Sequence, residues 1–238
     1  MLLIAAKDSF PFPVFILGIW LMFGCWCVLA LQVDFGRLTR VAEQRYGSQG
    51  TRAVTAWQKL IQDASSAGRI RRLVLVNDFF NRRIHYGEDP DVWQRRDYWA
   101  TPLESLGIRK GDCEDFALAK YVTLLLSGVA EDRLRLIYVR AVIEGRATRA
   151  HMVVGYYPEG GKVPWILDSL AGEVLPADQR RDLTPVFSFN LQSLWVAGAD
   201  FRVDDPSDRL SHWKDVILRM EDEGIGTMLS MTGKGHEP

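Results

Sequence analysis

The chain of 238 residues has room for one substantial domain with extras, and not for two large ones. Its hydrophobic fraction of 47% and charged fraction of 25% are those of an ordinary globular protein. Lys and Arg total 29 against 30 Asp and Glu, and the resulting net charge of -1 gives no footprint for nucleic acid.

The first predicted element is the uncharged run Phe10 to Leu31, long enough to cross a bilayer as a helix and led by Lys7. It reads either as a signal peptide cleaved after Val28-Leu29-Ala30 or as an uncleaved anchor, and in both cases the rest of the chain is exported. A buried core helix is the third reading, and the absence of any polar face speaks against it. Arg37 and Arg40, just beyond the run, weaken the positive-inside signal. Two of the three cysteines, Cys25 and Cys27, lie within the run, which leaves Cys113 alone in the exported part. A lone thiol there forms no internal disulfide, so it is either buried and inert or kept for its reactivity.

Helical periodicity predicts helices over Phe35 to Tyr46, Val54 to Ala67 and Ile70 to Ile84, their apolar stripes being core. Gly87 to Thr101 reads as a loop holding Asp89-Pro90 and the aromatics Trp93, Tyr98 and Trp99. A short helix, Pro102 to Leu106, opens after Thr101 as N-cap. Cys113 then sits at the start of a mostly apolar, buried helix that runs to Leu126, with Gly128 just past its end. Strands are predicted at Leu134 to Ile143, His151 to Tyr157 and Trp165 to Leu170, with short ones at Val186 to Phe189 and Leu194 to Val196. Ser207 to Glu223 reads as a charged surface helix before a frayed end. Helices first and an antiparallel sheet afterwards make an α+β layout.

Thiol catalysis needs a thiolate, a base, and an acceptor that orients the base. Cys113 in a first helical turn, His151 at the start of a strand and Asp168 near the end of the next supply these in a papain-like order. Singly, each residue has an ordinary structural reading: a packed cysteine, a half-exposed histidine, a turn aspartate. Among four histidines, His85 lies on the early helices and His212 and His236 on the tail, which leaves His151 as the base. Asp112, Glu114 and Asp115 crowd the cysteine and oppose a thiolate by like charge. They serve either as simple N-terminal helix acids or as oxygen ligands of a hard cation such as calcium.

Thr101-Pro102-Leu103-Glu104-Ser105-Leu106, Gly111-Asp112-Cys113-Glu114-Asp115-Phe116-Ala117, Ala150-His151-Met152-Val153 and Leu167-Asp168-Ser169 together resemble the bacterial transglutaminase-like cysteine peptidases. The resemblance runs from about Phe35 to about Val203 and includes Arg45-Tyr46-Gly47. It divides the chain into a leader or anchor (1–33), a transglutaminase-like, papain-related domain (34–204) and a C-terminal helix and tail (205–238). It implies a Cys113–His151–Asp168 triad, and calcium held by Asp112 and Glu114 with Asp115 beside them. It further implies a periplasmic endopeptidase that cuts a large surface adhesin near its N-terminus at a double alanine and so disperses biofilm. An inner-membrane receptor that senses cyclic di-GMP would restrain it, and Trp99 is either a contact for that receptor or a core aromatic. The rival readings are transglutamination or other amide chemistry on the same fold, and a non-catalytic binding module.

Overall fold

The structure is a computed structural model that describes residues 31–143, 145, 147–161, 163–197, 202–204 and 210–227. The apolar run up to Ala30 and residues 228–238, with His236 among them, lie outside the described residues, while Leu31 at the end of the run opens β1. Among the described residues no helix is long and apolar enough to cross a membrane.

In chain order the elements are β1 (Leu31–Val33), α1 (Phe35–Ser66), α2 (Arg69–Arg83), β2 (His85–Tyr86), α3 (Asp89–Val92), α4 (Pro102–Ile108), β3 (Lys110–Gly111) and α5 (Cys113–Leu126). They continue with β4 (Leu134–Ile143), β5 (Ala147–Tyr156), β6 (Trp165–Leu167), β7 (Leu175–Pro176), β8 (Leu183–Phe189), β9 (Ser193–Val196), β10 (Arg202–Asp204), α6 (Ser211–Glu223) and β11 (Ile225–Thr227). The layout is α+β, as expected. The seven-stranded sheet has the order β10-β9-β8-β4-β5-β6-β7, every neighbouring pair antiparallel.

The two helices expected before Ala67 are continuous in α1 but broken at Gly47, whose φ of 59° and ψ of −151° lie in a region essentially confined to glycine. The break lets the two halves bury Leu38 and Ala42 on one side and Val54, Trp57 and Leu60 on the other. Helix α5 is the centre of the molecule. Every residue from Asp115 to Leu124 is buried, so its polar members need partners. Thr123 Oγ1 accepts the Trp57 indole N–H at 2.8 Å, and Lys120 donates to Asn77 Oδ1 at 2.9 Å, which ties α5 to α1 and α2. On its other side α5 packs against β4 and β5, whose Leu136, Met152 and Val154 join the same core.

Several elements differ from the sequence expectation: the strand expected over Trp165 to Leu170 ends at Leu167 and leaves Asp168 just beyond it, and the Gly87 to Thr101 loop holds the short helix α3. His151 does not open its strand: β5 begins at Ala147, because the exposed Ala147–Ala150 segment pairs with β4 despite lacking an apolar alternation. His85 leaves the helix and pairs, in β2, with Lys110 of β3. Helix α6 is not a surface helix, since Trp213, Val216 and Met220 are buried and the Trp213 ring meets Phe189 at 5.2 Å and Tyr121 at 6.1 Å. Its charges are partly internal as well: Glu223 is fully buried and takes Arg45 at 2.7 Å, while Arg219 binds Glu104. After α6 the chain returns as β11 to pair with β1, which brings the two ends of the described fold together.

Gly47→Ala should destabilise the protein by about 1–3 kcal/mol, because a Cβ strains this backbone conformation. Urea unfolding checks it, and an unchanged midpoint would mean that α1 relaxes without cost.

Candidate active site

The loop before α5 is shaped by one carboxylate. Asp115 is fully buried, and its Oδ1 accepts the Ala100 N–H at 2.6 Å. Its Oδ2 accepts the Trp93 indole N–H at 3.3 Å and the Asp112 N–H at 3.4 Å. Gly111 has no side chain because that carboxylate takes the space: a Cβ there would lie 2.6 Å from Asp115 Oδ2. The Gly-Asp-Cys-Glu-Asp string therefore locks the start of α5 to the Trp93–Ala100 loop and leaves Cys113 in the first helical turn.

Cys113 is half-buried and free, and its thiol donates to Glu114 Oε2 at 2.7 Å. The backbone N–H of Met152, the residue after His151, faces the sulfur from β5 and favours its charged form, though not enough to offset burial and Glu114. His151 Nε2 and Asp168 Oδ1 are 2.6 Å apart, both side chains buried. Asp168 also accepts the Leu170 N–H on Oδ1 at 2.9 Å and Arg180 Nη2 on Oδ2 at 2.6 Å. Asn81 of α2 donates to the Asp168 carbonyl at 2.9 Å. The structure thus joins His151 to Asp168 directly and sets Cys113 against the strand that carries His151, with the thiol turned to Glu114.

Electrostatics divide the site in two. Burial pushes the Asp168 carboxyl up, but the His151 and Arg180 contacts outweigh it and hold the group at about 2. Among the described residues no cation does the same around Cys113. Burial and the repulsion of Glu114, Asp115 and Asp89 push Asp112 up to about 10. Burial, against the hydrogen bond from Ala100, leaves Asp115 at about 8, and Asp89 is raised by its own burial. The Cys113 thiol is raised by burial and by Glu114.

This crowding has the chemistry of a hard-cation site. Asp89, Asp112 and Asp115 each bring an oxygen within 4.8 Å of the others, as do the ligand atoms of Asp112, Cys113 and Glu114. Oδ1 of Asp89 and Oδ1 of Asp112 are both buried without a hydrogen-bond partner. Two inward-facing, unsatisfied carboxylate oxygens suit a divalent cation with oxygen ligands. Asp115 contributes less, because its oxygens already accept three N–H groups.

Sequence reasoning did not single out Asp89 or Arg180. Asp89 is distant in sequence but its Oδ2 takes the Tyr98 N–H at 2.6 Å, so the aromatic loop folds it back onto the cysteine. The acid-proline step was its one signal. Arg180 carried none. Trp99 is a core aromatic, 8% exposed and stacked on Phe189 at 5.9 Å. A cavity of about 670 Å³ lies on the sheet face lined by Ile137, Val153 and Ile166, and it borders the site through Arg180.

A cysteine at the start of a buried helix, set beside a strand-borne histidine that is paired with an aspartate, is the arrangement of a cysteine peptidase with the transglutaminase-like fold. The model of the bacterial transglutaminase-like cysteine proteinases matches residues 48–182, and the chain belongs to that family. Legionella pneumophila LapG in its EGTA-treated form is 37% identical, with a TM-score of 0.69 over 80% of this chain and 100% of that one. Calcium-bound Legionella pneumophila LapG is likewise 37% identical, with a TM-score of 0.66 over 79% of this chain and 99% of that one. No curated protein matches the chain. The protein is a cysteine peptidase of the LapG type.

Because Asp168 is held below its usual range, it stabilises the fold fully above about pH 4. That contribution declines as pH falls and is gone below about 2. Urea midpoints measured from pH 5 downward should fall less steeply for Asp168→Asn than for the wild type; parallel curves would show that the carboxylate is not held in this way.

Proposed function

We propose that the protein is a calcium-dependent endopeptidase whose nucleophile is Cys113, with His151 as base and Asp168 as its orienting acceptor. The observation that carries this reading is the 2.6 Å His151–Asp168 contact on the strand whose next residue turns its N–H toward the Cys113 sulfur. An ionised Asp168 keeps the proton on His151 Nε2, which leaves Nδ1 to take the thiol proton. Cys113 sulfur then attacks a peptide carbonyl, and the backbone N–H of Cys113 is a donor to the oxyanion. His151 returns the proton to the departing amine, leaving a thioester that water hydrolyses with His151 again as base.

Asp89, Asp112 and Glu114, with Asp115 holding them in place, would bind the calcium ion. When bound, the ion supplies the positive charge that offsets their mutual repulsion beside the nucleophile. The calcium-bound and EGTA-treated forms of Legionella LapG support calcium as the ion.

In the cell, this chemistry fits a periplasmic protease that trims a large surface adhesin near its N-terminus at a double alanine and so governs biofilm dispersal. Export would depend on the apolar run before Leu31, retained as an inner-membrane anchor or removed as a signal. Control would come from an inner-membrane receptor that reads cyclic di-GMP on its cytoplasmic side. The resemblance of the Gly111–Ala117, Ala150–Val153 and Leu167–Ser169 blocks to the adhesin-processing proteases supports this biological setting.

The test is cleavage of an adhesin N-terminal region by the full chain, with calcium and with EGTA. Cleavage should vanish with EGTA, return with calcium, and be absent in Cys113→Ala; Asp89→Asn should need more calcium for the same rate. Cleavage indifferent to chelation would remove the metal from the mechanism, and cleavage by Cys113→Ala would remove the nucleophile.

A further inference from the structure

Strand β5 is paired along its whole length on one side only. Its ten residues match β4 from Leu134↔Tyr156 to Ile143↔Ala147. On the other side β6 reaches only Val154, Gly155 and Tyr156. Among the described residues, no strand covers the second side of Ala147–Val153.

The direction of each backbone group along this stretch is fixed by alternation. The Tyr157 N–H donates to Arg133 O at 2.8 Å, on the β4 side. Counting back in twos, the N–H groups of Gly155, Val153, His151 and Arg149 also face β4, and those of Met152, Ala150 and Thr148 face the open side. The first of these, Met152, meets the Cys113 sulfur. The unpaired edge therefore starts at the nucleophile and continues through Ala150 and Thr148, both exposed. Arg149 Nη1 lies 4.0 Å from Glu88, which ties this arm of β5 to the turn after β2 without covering the edge.

Exposed strand edges are liabilities that proteins shorten, charge or cover, because they template pairing with another chain. Here the edge is open only where it adjoins the reactive sulfur. Resting on the peptidase reading above, we infer that the substrate's scissile segment docks as an added β-strand on the open edge of β5, its main chain paired with Ala150 and Thr148. Such pairing reads backbone more than side chains, so the substrate class is an extended, locally unfolded polypeptide segment. A helical or tightly folded cleavage site is excluded, since its own N–H and C=O groups are already spent.

The test uses the purified protein in calcium and an acetylated tetra-alanyl chloromethyl ketone, with one backbone N-methyl group placed at each amide in turn. Cys113 alkylation is followed by intact mass and compared with iodoacetamide, which needs no strand. Alternate amides should each lose roughly tenfold in rate, with those between nearly unaffected, as expected for single edge hydrogen bonds. Even losses, or none, would overturn the docking mode. Ala150→Pro deletes an edge N–H and spares the β4 ladder, so it should slow the peptidyl reagent relative to iodoacetamide. An unchanged ratio would move docking away from β5. If Ala150→Pro slows both reagents alike, the methylation pattern in the wild type decides. Failure of both reagents on the wild-type protein would overturn the peptidase reading and this proposal with it.

Discussion

Everything at the site hangs on how Asp168 is held. Its Oδ1 faces His151, its Oδ2 faces Arg180, and its backbone carbonyl takes a hydrogen bond from Asn81. A buried carboxylate with fewer partners would be pushed up by desolvation and would share its proton with the histidine. With both oxygens engaged it stays an acceptor facing the imidazole. The Asn81 bond carries this constraint across to α2, and Asn77 repeats it by donating to Gly172 while accepting from Lys120 of the cysteine helix. The histidine strand and the cysteine helix are thereby positioned through the same few polar side chains.

The opposite end of the site is built on repulsion. Four acids, Asp89, Asp112, Glu114 and Asp115, converge where the helix start places the thiol, and only Asp115 is well supplied with donors. The protein thus sets a satisfied carboxylate, Asp168, against His151 and unsatisfied ones beside Cys113. That contrast is physically coherent if the second group awaits a cation and the first does not.

Much of this was legible in the sequence because local rules and tertiary demands agree. Thr101 caps α4 in a reciprocal box with Glu104, and the mostly apolar run after Asp115 is a helix buried on every side. The Cys113, His151 and Asp168 blocks were found through residue scarcity and the order of elements. What was not legible depends on long-range pairing. Ala147–Ala150 has no strand pattern and is a strand only because β4 dictates it. Asp89 and Arg180 become site residues through loop closure, which no local spacing encodes. In α6 the stripe Trp213, Val216, Met220 was present at helical spacing, but the surrounding charges hid that its buried Glu223 is matched by Arg45 from α1.

In the proposed mechanism Cys113 is activated by His151, and the acidic group beside it is neutralised by calcium. The most direct measurement is the rate of Cys113 alkylation by iodoacetamide at neutral pH, in calcium, in EGTA, and for His151→Gln in calcium. Fast alkylation is expected only for the wild type with calcium. Equal rates in all three would contradict this mechanism.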